Sequence, residues 1–267
     1  MYTTEFKFIR PKSLAEAAAA FRSGADPRYI AGGQTLIPTM KLRLAAPTEL
    51  IDLSGIPAME SILREGNMLA IGAGARHADV ATSKAVRAAI PALSKLAGDI
   101  GDPAVRHRGT IGGSLANNDP AADYPAGALA LRAKIATAER VIPADEYFTG
   151  MFMTALRNGE IIISVNFEVP QRAGYVKFKH PASRFALVGV FAAQFKDEVR
   201  VAVTGAGQSV FRVREMEQAL ARKFAPDAIA DIAVSPDGLN SDLHGSAEYR
   251  AHLVTVIAKR AVAAAIG

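Results

Sequence analysis

Two glycine-rich loops constrain this chain more than any other feature. The first is Ala31-Gly32-Gly33-Gln34-Thr35-Leu36, directly after the extended run Arg28-Tyr29-Ile30-Ala31. The second is Gly109-Thr110-Ile111-Gly112-Gly113-Ser114, which runs on through Asn117, Asp119, Pro120 and Asp123 to Pro125. Glycine permits φ > 0 and carries no Cβ to hold a ligand away, so consecutive N–H groups can converge on a phosphate. Either glycine pair alone is accounted for by a tight turn. Two such loops in one chain suit a pyrophosphate, whose oxygens face both sides. Asp123 lies ten residues beyond Gly113, where it can accept from ribose or adenine donors, as acidic residues do in dinucleotide sites.

Composition narrows the alternatives. The 267 residues are 50% hydrophobic and 21% charged, enough for a core and unlike a disordered chain; the length suits one large domain or two to three small ones. There is no cysteine, which excludes disulfides, a thiolate zinc site, an iron–sulfur cluster held by this chain and a cysteine nucleophile. Lys and Arg number 31 against 26 Asp and Glu, but the basic residues are scattered among acids, so a solvated surface is expected rather than a nucleic-acid patch. No run approaches the ~18 apolar residues of a membrane span. The opening residues carry charges and Pro11 where a signal peptide would be apolar, so a cytoplasmic location is expected.

Along the chain, Ser13 and Glu16 form a capping box for a helix ending at Gly24, with strands at 28–31 and 49–53, so residues 1–60 read as a small α/β unit. A strand at 68–71 precedes helical patterns at 77–88 and 92–97. Residues 98–125 read as loop throughout. Strands are expected at 139–142 and 160–169, and Gln171–Gly174 reads as a boundary. Beyond it come strands at 175–179, 188–195 and 199–203, then helices at 214–223 and 248–265. The class expected is α+β.

Other signals are weaker. Ile71-Gly72-Ala73-Gly74-Ala75 begins like a Rossmann fingerprint, but His77 stands at the third glycine position and no acidic residue follows at the expected distance. A strand-to-loop turn explains it. The five histidines show no metal-ligand spacing, and no metal site is expected on this chain. Lys179 and Arg184 are either ligand contacts or solvated cations.

Together, the two glycine loops, the Asp119-Pro120…Asp123 tail, Phe8-Ile9-Arg10-Pro11, Arg106-His107-Arg108-Gly109, Lys177-Phe178-Lys179 and Thr204-Gly205-Ala206-Gly207 make a pattern running from end to end. It resembles the FAD-binding medium subunit of molybdenum hydroxylases, the family of carbon monoxide dehydrogenase medium subunits and xanthine dehydrogenase flavin domains. The resemblance implies a two-subdomain, PCMH-type FAD-binding domain (residues 1–60 and 61–170) followed by a smaller C-terminal α+β domain (171–267). It implies that Ala31, Gly32, Gly33, Gln34, Thr35 and Leu36 wrap the pyrophosphate, with Thr110, Gly112, Gly113 and Ser114 on its other side. Asn117 and Asp123 match positions at the ribose or adenine, Ile100 and Ile162 match apolar positions near the rings, and Lys179 matches a lysine that approaches the flavin. Gln34 stands where relatives often have His, Asn or Asp, Ser114 where Asn is frequent, and Ile100 is smaller than the aromatic of some relatives.

The resemblance further implies an oxidoreductase subunit without an acid–base dyad of its own. Its partners would be a large subunit with the molybdenum cofactor and a small one with two [2Fe–2S] clusters, whose electrons reach FAD here and then an external acceptor. Two alternatives stand beside it. One is a stand-alone flavin reductase similar to UDP-N-acetylenolpyruvoylglucosamine reductase, which uses related glycine loops. The other is a non-enzymatic scaffold subunit with a decayed flavin site.

Overall fold

A computed structural model describes residues 2–267. Its class is the expected α+β, built on three main sheets. The first is small and parallel, in the order Lys7–Ile9, Glu49–Asp52, Pro27–Ile30. Helix Leu14–Ser23 connects two of its strands, and the Ser13 hydroxyl accepts from Glu16 N–H while the Glu16 carboxylate accepts from Lys12 N–H. The strand at Lys7–Ile9 is too short to give a periodic signal in the sequence.

The second sheet is antiparallel, in the order Ile62–Glu65, Met68–Gly72, Ile162–Glu168, Lys134–Thr137, Val141–Pro143. Here the expected strand at 139–142 is corrected. Glu139 and Arg140 form the turn of a hairpin, and the Thr137 hydroxyl accepts from both of their N–H groups. The expected helix at 77–88 is two helices, His77–Thr82 and Lys84–Ala89, broken at Ser83, whose hydroxyl accepts from Val86 N–H to cap the second.

The third sheet follows, in the order Arg172–Lys179, Ala186–Gln194, Val199–Thr204, Phe211–Arg212, again antiparallel. Its first strand takes in Arg172, Ala173 and Gly174, which read as a break in the sequence. The 20-residue helix Ala247–Ile266, capped by Ser246, packs on this sheet and buries Leu253, Val254, Ile257, Ala258, Ala261 and Val262. Helix Arg214–Arg222 lies against the strand Val199–Thr204.

The largest correction concerns residues 98–125. They hold short helices at Pro103–Arg106 and Ile111–Asn117, and the start of a third at Tyr124–Ala130. Asp102 and Thr110 cap the first two. All seven residues of the third are buried, so it has no polar face and no amphipathic period. Small residues here serve close packing, and their composition imitates a loop.

Candidate functional site

The loop after strand Pro27–Ile30 and the loop before helix Ile111–Asn117 meet in space. A Cβ on Gly32 would lie 2.3 Å from the Arg108 carbonyl oxygen and 2.7 Å from Gly109 Cα, so this crossing is possible only with glycine. Gly33 sits at φ +70, in the left-handed region, and turns the chain into a helix at Leu36–Lys41 that the sequence did not announce. Beside the crossing opens a cavity of about 680 Å³, in the upper part of the ~300–1,000 Å³ range of cofactor sites.

Of the fifteen residues expected at the site, fourteen line this cavity: Ala31, Gly32, Gly33, Gln34, Thr35, Leu36, Ile100, Thr110, Gly112, Gly113, Ser114, Asn117, Asp123 and Ile162. Lys179 does not. It lines a smaller depression beside the cavity, and its ammonium pairs with Asp99 Oδ1 at 2.7 Å.

The two loops differ in what they offer. Among the described residues, the N–H groups of Gly32, Gly33, Gln34 and Thr35 are bonded to no acceptor in the chain, leaving four consecutive donors at the cavity. Four consecutive donors of the second loop are committed. Ile111 N–H donates to Ala75 O, Gly112 N–H to Ala73 O, Gly113 N–H to Thr110 Oγ1 and Ser114 N–H to Thr110 O. The Thr110 hydroxyl is thus a helix cap. What this segment presents instead is the face of Gly113 and the side chains of Ser114 and Asn117. These two stand three residues apart on one helical face and make no side-chain hydrogen bond among the described residues.

Asp123 is buried, and its carboxylate is held from the third sheet. Lys177 Nζ lies 2.8 Å from Oδ1, and the Tyr175 hydroxyl donates to Oδ1 as well. Burial pushes the Asp123 carboxyl up from its ordinary range, while the Lys177 ammonium opposes that shift. With Lys177 fully buried, the pair carries its own charge balance, and the Lys177 ammonium also donates to Oδ2 at 3.0 Å.

Glu160 and His77 are among the polar residues of the wall that sequence reasoning did not place at the site. Glu160 is clamped by Arg140 at 2.9 Å, by the Thr137 hydroxyl at 2.7 Å and by Arg157 N–H at 2.8 Å, and the Arg140 guanidinium holds its carboxyl down at about 2. His77 is 5% exposed and its imidazole is pushed down to about 4, chiefly by burial and further by Arg106. No motif points either of them at a ligand; the fold brings them to the cavity.

The match to known proteins spans the chain. Residues 4–171 match the family described as the FAD-binding domain in molybdopterin dehydrogenase. The carbon monoxide dehydrogenase medium chain of Hydrogenophaga pseudoflava is 34% identical over 99% of this chain and 98% of that protein. The nicotine 6-hydroxylase medium subunit of Paenarthrobacter nicotinovorans is 33% identical over 96% of this chain and 95% of that protein. Among solved structures, the carbon monoxide dehydrogenase of H. pseudoflava lacking the Mo-pyranopterin moiety superposes with a TM-score of 0.87 at 33% identity, covering 100% of this chain and 99% of that one. Quinoline 2-oxidoreductase from Pseudomonas putida 86 gives 0.89 at 27% identity, covering 99% and 98%. Full-length likeness to medium chains favours the subunit reading over the stand-alone reductase. With both glycine loops crossing at a cofactor-sized cavity and this likeness from end to end, the chain belongs to the family of FAD-binding medium subunits of the molybdenum hydroxylases.

Proposed function

We propose that this chain holds FAD in the 680 Å³ cavity as the electron-exit subunit of a molybdenum hydroxylase complex. Its partners in this reading are a large subunit carrying the molybdenum cofactor and a small subunit carrying [2Fe–2S] clusters, assembled in the cytoplasm. Residues 1–60 and 61–170 form the two halves of the FAD-binding unit and 171–267 the C-terminal domain. The observation that carries the proposal is the run of four unbonded amides, Gly32 to Thr35, at a crossing that a Cβ would block.

The residues fit the group. The four N–H donors suit pyrophosphate oxygens. The Ser114 hydroxyl and the Asn117 carboxamide supply donors and acceptors for sugar hydroxyls, and the Asp123 carboxylate supplies a fixed acceptor. Ile100 and Ile162 give apolar walls that exclude water. When bound, FAD supplies the redox chemistry, passing on electrons received from the iron–sulfur partner. The chain's own work is to bind, orient and shield the group. Lys179, paired with Asp99, stands in the depression beside the cavity.

An absorbance spectrum of the purified chain, taken before and after denaturation with the chromophore identified, tests the reading. A two-band flavin spectrum and released FAD are expected. A colourless chain that takes up no FAD, alone or with its co-purified neighbours, overturns it.

A further inference from the structure

The helix Leu36–Lys41 joins the cavity to the outer surface. Leu36 and Thr39, three residues apart on one face, line the cavity, and the helix follows directly on the free amides of Gly32–Thr35. Six residues at a rise of about 1.5 Å make it about 9 Å long, so its far end stays close to the cavity wall. That end is firmly closed. Arg43 N–H donates to Met40 O and Leu44 N–H to Thr39 O, both at 3.0 Å, the paired bonds of a Schellman cap.

Two features of this cap do nothing for the helix. Its left-handed position is Arg43, at φ +63, where glycine would carry no steric cost. The residue after it, Leu44, would ordinarily fold back on the helix, yet it is 76% exposed, and Leu42 is 60% exposed. The outer face of the helix adds Ile37, 39% exposed, and Lys41 one turn on. Lys41 and Arg43 alternate with the two leucines, and neither forms an ion pair among the described residues. The chain carries no carboxylate between Asp26 and Glu49. A strained arginine between two solvent-facing leucines gains no contact inside this chain, and the cluster marks a contact made outside it.

We propose that the ridge Lys41–Leu44, with Ile37, is the docking surface for the [2Fe–2S] partner subunit, which presents to it an apolar groove bordered by carboxylates. The proposal rests on the complex-subunit reading above. Charge complementarity selects the chemistry: two unpaired cations among apolar side chains fit an acidic rim around an apolar cleft. Position selects the partner. A subunit seated here stands on the wall of the cavity, and of the two partners it is the one delivering electrons to FAD that must come close to it.

The test is binding of the full chain, with FAD added, to its purified iron–sulfur subunit. Four forms are compared: the parent, Leu42→Ser with Leu44→Ser, Lys41→Glu with Arg43→Glu, and Arg43→Gly. The leucine pair is expected to weaken the complex about a hundredfold while FAD affinity and unfolding temperature stay those of the parent. The charge reversal is expected to slow association at least about tenfold and to abolish the weakening by added salt that the parent shows. Arg43→Gly relieves the left-handed residue, so it is expected to raise the unfolding temperature and yet weaken docking, a split that a purely structural role does not produce. Three results of the leucine pair overturn the docking proposal and leave the complex-subunit reading standing: binding within twofold of the parent, loss of the large subunit alone, or conversion of a dimer of this chain to a monomer with iron–sulfur binding intact. If the parent itself binds no iron–sulfur subunit, the complex-subunit reading falls and the docking proposal with it.

Discussion

At the scale of single residues, the pair behind the cavity is the most consequential. Lys177 has no surface exposure of its side chain, and its partner is Asp123, itself 4% exposed. Removing the ammonium strands a buried carboxylate, so Lys177→Met is expected to destabilise the chain by about 3–5 kcal/mol in urea unfolding. The double change Lys177→Met with Asp123→Asn removes both charges and should regain more than half of that loss, while FAD affinity stays low because the acceptor is gone. Recovery of affinity along with stability would mean that Asp123 serves packing alone. Acid is the second probe. His77 has a folded pKa near 4 against an ordinary 6.5, so the unfolded chain takes up the proton first and stability falls as pH drops from about 6.5 toward 4. Glu160 has a folded value near 2 against 4.5, so its contribution is complete above about 4.5 and is lost as pH falls toward 2. Unfolding free energy measured from pH 7 downward should therefore begin to decline below 6.5, at up to about 1.4 kcal/mol per pH unit from His77. His77→Phe should flatten that first limb and leave the lower one.

At the scale of elements, charge reinforces what hydrophobic packing already joins. Arg132, held at φ +51, lies 4.2 Å over the Phe195 ring and pairs with Glu168 of the second sheet and with Asp197 and Glu198 in the turn of the third. Glu217, on helix Arg214–Arg222, accepts from Arg212 at 2.7 Å and from Val201 N–H at 2.9 Å, which docks that helix on the sheet. Glu217→Ala leaves the nearly buried Arg212 guanidinium short of a partner and should cost about 3 kcal/mol in urea unfolding. A cost under about 0.5 kcal/mol would show that packing of Met216 and Leu220 alone seats the helix. Elements with a one-sided pattern were legible beforehand: the capped helix at Leu14–Ser23, the alternating strand Val199–Thr204 and the terminal helix at Ala247–Ile266. The helices between Pro103 and Ala130 were not, because a helix packed on every side, or one built of glycine and alanine, shows no period to read.

At the scale of the molecule, the cavity draws on all three sheets. Ala31–Leu36 follow a strand of the first, Ile162 opens a strand of the second, and Arg184 and Phe185 come from the turn between two strands of the third. Lys177 holds Asp123 from that third sheet too. A ligand gripped from three sides should stabilise them together. FAD at a hundred times its Kd is expected to add about 2.7 kcal/mol and to raise a single calorimetric transition. Two transitions, with only one responding to FAD, would mean that the third sheet unfolds independently of the cavity.

The amino-acid sequence alone determined the α+β class, the two glycine loops and the absence of cysteine chemistry, and the family resemblance it carries pointed to fifteen site residues, of which fourteen line the cavity. These are local properties: a glycine pair or a capping box acts within a few residues and leaves its mark there. Tertiary structure decided which loop keeps a run of free amides, because in the second loop the Ile111 and Gly112 N–H groups are taken by Ala75 and Ala73, far from them in the chain. It decided that Lys179 faces Asp99, that Lys177 lies behind Asp123, and that His77 stands at the wall. Each of those outcomes depends on which distant group arrives beside a polar atom once water has been excluded, and no spacing along the chain encodes that meeting.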